Sequence, residues 1–145
     1  MARSKVFIQR KDGRIELRIA PAAREFLKSV VDQLITAEND SEHPWHGSLH
    51  APITPSADND DPLRSFERQK MTATSAELMR LTLDESFLSQ DEAFAWLASM
   101  QLGLRARTTE AAIFTVEDLN QADDTSLQTI RALQFFLFEL ATTLS

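Results

Sequence analysis

Lys5-Val6-Phe7-Ile8-Gln9-Arg10-Lys11-Asp12-Gly13-Arg14-Ile15-Glu16-Leu17-Arg18-Ile19 is the stretch that sets the fold class. Two segments of alternating apolar and polar residues flank Asp12-Gly13, a pair that tolerates the positive φ angles of a tight hairpin turn. A two-residue loop at this pair predicts a register in which Lys11 faces Arg14, Gln9 faces Glu16 and Phe7 faces Arg18. The alternate pairs are then Arg10–Ile15, Ile8–Leu17 and Val6–Ile19. One face becomes almost wholly apolar and must cover helices, because an isolated hairpin is marginal in water. The other face is polar and basic, carrying Lys11, Arg14 and Arg18, with Phe7 as its apolar exception.

Downstream the apolar period lengthens from two to between three and four. Pro21 suits a first helical position and opens a helix over about 22–37, with Phe26, Leu27, Val30, Val31, Leu34 and Ile35 on its core side. Residues 38–61 hold Pro44, Pro52, Pro55 and Gly47 among polar residues and read as a long polar loop. Asp61-Pro62 opens a short helix through Lys70, anchored by Phe66. A further helix is expected from Ser75 to Leu88. Ser89-Gln90-Asp91-Glu92 then fits a capping box that starts the next one, about 90–105. Thr115 begins a single turn, and the last helix runs from near Asp124 or Thr125 almost to Ser145. Its apolar side is Leu127, Ile130, Leu133, Phe136, Leu137, Leu140 and Leu144. Phe135 and Phe138 widen that side, so the helix is either central to the core or part of a dimer interface.

The expected architecture is α+β and predominantly α: an N-terminal β-hairpin packed on a four- or five-helix assembly. Residues 1–145 form one domain, a length at which folding buries roughly two-thirds of the chain's surface without disulfides or metal. The chain has no cysteine, which removes disulfides, thiolate nucleophiles and cysteine-held metal centres. Its apolar runs fall short of the ~20 residues that span a bilayer. The start, Met1-Ala2-Arg3-Ser4-Lys5, lacks the apolar core of a secretion signal. The expected location is cytoplasmic, with no membrane partner. Net charge is −7, split as +5 over residues 1–31 and −12 over the rest. That acidity argues against independent nucleic-acid binding and singles out one basic end.

Catalytic signatures are weak. His43, His46 and His50 follow Glu38, Asp40 and Glu42, and a small metal-dependent hydrolase built on this loop is the alternative reading. Two histidines four residues apart share a metal when a helix holds them on one face, and Pro44 and Gly47 oppose such a helix. Asp58-Asn59-Asp60-Asp61 fails as a calcium loop: its fifth position is Pro62, its sixth Leu63 and its twelfth Gln69. Glycines at 13, 47 and 103 are too scattered for a phosphate-binding loop. A helix-turn-helix at Ser89 would present Asp91 and Glu92 to phosphate. No catalytic residue, metal ligand or cofactor is assigned.

The layout resembles an actinobacterial family catalogued as "domain of unknown function 2017". The resemblance is carried by Arg10-Lys11-Asp12-Gly13-Arg14-Ile15-Glu16-Leu17 and the helix after it, by Ala95-Trp96-Leu97 leading to Leu102-Gly103-Leu104, and by Phe135-Phe136-Leu137-Phe138. It implies a neighbourhood of Clp-protease adaptor and cysteine-biosynthesis genes. It also implies kinship with an oxidative-stress transcriptional regulator that senses redox state through cysteines and works with a sigma factor. Thiol sensing does not carry over to a chain without cysteine. The function expected is therefore a regulatory protein–protein interaction module linked to transcription or stress response. Lys11, Arg14, Arg18 and Phe7 would meet an acidic protein partner, and a homodimer through the C-terminal helix is compatible with this.

Overall fold

In the computed structural model the described residues are 6–46, 74–113 and 115–145. The elements run β1 (Phe7–Gln9), β2 (Ile15–Leu17), α1 (Pro21–Asn39), α2 (74–82), β3 (Phe87–Leu88), α3 (Gln90–Glu110), α4 (Val116–Gln121) and α5 (Asp124–Leu144). The fold is α+β and mostly helical, as expected, with a small antiparallel sheet in the order β1-β2-β3. Among the described residues no helix is long and apolar enough to cross a membrane. The expected short helix at Phe66 and the loop from residue 47 onward lie outside the described residues.

The hairpin differs from expectation by one residue of register. Phe7 pairs with Leu17, Ile8 with Glu16 and Gln9 with Ile15. Gly13 N–H donates to Arg10 C=O at 3.0 Å and Arg10 N–H to Arg14 C=O at 2.8 Å, so the loop contains Lys11, Asp12 and Gly13. Gly13 takes φ +92°, the left-handed residue that follows a type I turn in a three-residue hairpin loop. The Asp12 carboxylate accepts the Arg14 N–H at 3.0 Å and holds the turn in this form. A shift of one residue sends alternate side chains to the opposite face. On β2 the inward set is still Ile15, Leu17 and, just beyond, Ile19. On β1 it becomes Phe7, 1% exposed, while Val6 and Ile8 stay partly exposed.

Phe87 and Leu88 correct a second expectation. They do not end a helix but form β3, with Leu88 opposite Ile15 and Phe87 opposite Glu16. The preceding helix stops at residue 82, ahead of Asp84 and Glu85, whose negative charge is unfavourable at a helix C-terminus. Arg24 of α1 reaches across to donate to the carbonyls of Leu83 and Glu85. These are carbonyl groups left without helical partners where α2 ends.

Helix ends elsewhere follow local chemistry. Pro21 is the first residue of α1. Ser89 and Glu92 complete a reciprocal capping box at the start of α3. Thr115 and Asp123 cap α4 and α5 with their side-chain oxygens. At its other end α3 closes with Ile113 N–H on Thr108 C=O at 2.9 Å and Ala112 N–H on Thr109 C=O at 3.1 Å. Ala112 sits there at φ +56°, where glycine is usual.

Packing centres on α3, which lies between α1 and α5. Trp96 is fully buried, its ring edge-on to Phe7 at 6.4 Å. Its indole N–H donates to Thr82 Oγ1 at 2.7 Å, and that hydroxyl donates to Leu78 C=O at 2.8 Å. A polar chain thus joins α2 to α3 inside the core without an unsatisfied donor. Gly103 lets α3 approach α1 closely: a methyl group added there would lie 2.8 Å from Val30 Cγ1. The sheet rests on α5, where Thr143 donates to Phe7 C=O at 3.3 Å.

Candidate functional site

Two surfaces and one turn carry the residues that chemistry would single out. The first is the hairpin. Its outward face holds Arg10, Glu16 and Arg18, and both guanidinium groups bond the Glu16 carboxylate. Hydrogen bonds from Arg10 and then Arg18 hold the Glu16 carboxyl below its ordinary pKa. Arg14 bonds Asp12 at 2.8 Å, and its guanidinium carbon lies 4.4 Å from the Phe87 ring centroid. The Arg14 backbone N–H, then its side chain, lowers the Asp12 pKa as well. Lys11 is exposed at the turn tip.

The four residues expected to form one basic face are therefore dispersed. Phe7 lies under the sheet and cannot add apolar area to an outer contact. Arg18 shares a carboxylate with Arg10, and Arg14 is neutralised by Asp12. Lys11 and Arg14 are not the directly opposed cross-strand pair that a two-residue loop would make of them. Arg10 and Phe7 are the hairpin residues that sequence reasoning placed on the wrong face, because the assumed register set Arg10 beside Ile15 on the apolar side and Phe7 beside Arg18 on the polar side.

The second region is the turn after α1. Trp45 is 1% exposed, packed on the body as a loop anchor. Its indole N–H donates to the Glu110 carboxylate, whose other oxygen accepts from Arg107 at 2.8 Å. His43 accepts the Trp45 backbone N–H on Nδ1 at 3.1 Å and sets its ring edge-on to the indole. His46 places Nδ1 2.6 Å from Ala37 C=O, a geometry in which that nitrogen carries the proton and donates. Burial raises the pKa of Glu38. Both described histidines are thus engaged in holding the turn, while His50 lies outside the described residues. Among the described residues no three histidine, aspartate or glutamate side chains gather as a metal site. The small cleft beside Leu34, Ile35, Glu38, Ala76 and Glu77 has a volume of about 10 Å³, room for one water.

The third region is the outer side of α5. Ile130, Leu133, Phe136 and Leu140 point into the core, while Phe135 is 37% and Phe138 67% exposed. The two exposed rings lie three residues apart, on neighbouring turns of one face. Arg131 precedes them on the same side, and Glu139 flanks them half-buried. The sequence signal for this surface is an aromatic content too wide for a single core-facing stripe.

No family model, curated protein or solved structure matches the chain. The resemblance described above therefore rests on the residues quoted for it.

Proposed function

We propose that this protein is a regulatory protein–protein interaction module whose recognition surface is the outer side of α5. The observation that supports the reading is the adjacent exposure of Phe135 and Phe138. Single exposed apolar residues are ordinary on protein surfaces. Two phenylalanines on consecutive turns of one helix are different, since full burial of such a ring contributes about 1.5–3 kcal/mol and Phe138 has most of its surface still to cover. Paired aromatic anchors of this kind are what the centre of an interface uses.

In this reading the hairpin contributes little. Its arginines already satisfy Glu16 and Asp12, and Phe7 is committed to the core. The protein acts by recognition, with no bond made or broken. Its regulatory character, and any link to transcription or stress response, rests on the resemblance to the family of domain 2017.

A photo-reactive benzoylphenylalanine placed at position 138 tests the surface. Irradiation is expected to capture a protein there, and the same probe at position 11 is expected to capture none. Capture at position 11 alone would return recognition to the hairpin. Capture at neither position would remove the proposal.

A further inference from the structure

We propose that the turn after α1 is a proton-operated latch: His43 holds Trp45 in its seat while the imidazole is neutral and releases it when the ring takes up a proton. The device lies apart from the α5 face and does not depend on the reading given for that surface.

The seat is held from two sides. Trp45 is 1% exposed, and its indole N–H donates to the carboxylate of Glu110, the last residue of α3. Its backbone N–H donates to His43 Nδ1 at 3.1 Å. A ring nitrogen that accepts a hydrogen bond carries no proton, so in this turn the imidazole is neutral and its proton sits on Nε2. The same ring stands edge-on to the indole, with centroids 5.9 Å apart. Withdrawing Trp45 breaks both bonds, exposes an indole and unties the turn from α3.

Protonation bears on one histidine and not on the other. A proton added to His43 Nδ1 turns an acceptor into a donor, and two N–H groups then face each other. His46 behaves differently, because its Nδ1 lies 2.6 Å from Ala37 C=O and donates to it. That bond is open to the neutral and the charged ring alike. The released turn thus binds one proton more than the seated one, and acid favours release. Among the described residues, the charged groups gathered at this end are Asp40 and Glu42 in the turn, Glu38 on α1, and Glu110 with Arg107 on α3. Asp40 accepts the Glu42 N–H at 3.0 Å, and Glu110 is shared between Trp45 and Arg107. Losing one neutral hydrogen bond shifts an opening equilibrium by roughly three- to tenfold.

Indole N–H exchange on the full chain reads the latch. Trp96 is the internal reference, since its indole donates to Thr82 Oγ1 in the core. After correction for intrinsic rates, protection of Trp45 relative to Trp96 should fall roughly three- to tenfold between about pH 7.5 and about pH 5. Unchanged protection, or a rise driven by attraction of the imidazolium to the indole, would overturn the latch. His43→Asn offers a side-chain oxygen to the same amide without a titrating ring, so Trp45 should stay protected at both pH values. A fall that persists in this variant would assign the proton to another group and overturn the role of His43. His46→Gln keeps a donor for Ala37 C=O and should retain the fall seen in the parent; losing it would overturn the asymmetry between the two histidines. The ring nitrogen shifts of the parent protein need no variant. At about pH 7.5 they should show His43 with Nδ1 bare and Nε2 protonated, and the opposite tautomer would overturn the proposal at its origin.

Discussion

Gly103 makes a sharp prediction because two effects of known size oppose each other there. An alanine in the interior of α3 should stabilise the helix by about 0.8–1 kcal/mol relative to glycine. Its methyl group, however, would meet Val30 Cγ1 at 2.8 Å. Val30 is buried at 4% exposure, and a β-branched side chain in a helix has essentially one rotamer, so it cannot swing aside. Relief requires α1 and α3 to separate by several tenths of an ångström along a packed interface, an overpacking cost of roughly 1–3 kcal/mol. The net expectation for Gly103→Ala is a loss of about 1 kcal/mol, near 3–4 °C in melting temperature for a chain of this size. Val30→Ala alone removes two buried methyls and should cost about 2 kcal/mol. In the double variant the clash is gone and the helix propensity of alanine is realised, so its loss should be near 1 kcal/mol rather than the additive 3. Urea denaturation followed by circular dichroism on the four proteins gives the coupling, expected at about 2 kcal/mol. Additive losses, or a Gly103→Ala protein more stable than the parent, would refute the close approach of α1 and α3.

Other expectations test the hairpin, a helix end and acid sensitivity. Phe7→Ala should cost about 3–5 kcal/mol and Ile8→Ala about 1, since only the first ring is fully buried. The reverse order in denaturation midpoints would restore the two-residue turn. Ala112→Gly should raise stability by about 1 kcal/mol, because Ala112 holds φ +56° at an exposed helix end. A lowered melting temperature would show that the strain is absent. Glu16 has a depressed carboxyl pKa, so its contribution is present above the unfolded value of about 4.5 and is lost as pH falls through the folded value. The stability difference between the parent and Glu16→Gln should therefore shrink on acidification from pH 6 toward pH 2. A difference that widens over this window would contradict the shared carboxylate of Arg10 and Arg18. Glu38 acts with the opposite sign, its raised pKa favouring the folded state on acidification, and cancels in that comparison.

Local signals were readable from the residues, and long-range ones were not. Pro21 with its apolar stripe, and the Ser89–Glu92 box, are each decided within a few positions, and the observed helices start at those places. The inward set of β2 was also legible, since Ile15, Leu17 and Ile19 keep one face in either register. For β1 the ambiguity is physical: Asp12-Gly13 serves both a two-residue and a three-residue loop. The choice falls to burial of the larger Phe7 ring against Trp96, 89 positions downstream. The Phe87-Leu88 pair continues the helical spacing of Leu83, and only its contact with Ile15 and Glu16 makes it a strand. For Trp45, an anchoring role follows from an indole set among polar turn residues, but its partner Glu110 lies 65 positions away. On α5 the excess of aromatic residues was visible, while their division into core and solvent sides depends on how α3 and the sheet seat the helix.

An NMR titration with the protein captured at position 138 maps the contact residue by residue. Backbone amide resonances over 131–142 should shift progressively as that partner is added while those of 7–17 stay fixed. Shifts confined to the hairpin, with α5 silent across the same titration, would contradict the assignment of the meeting surface.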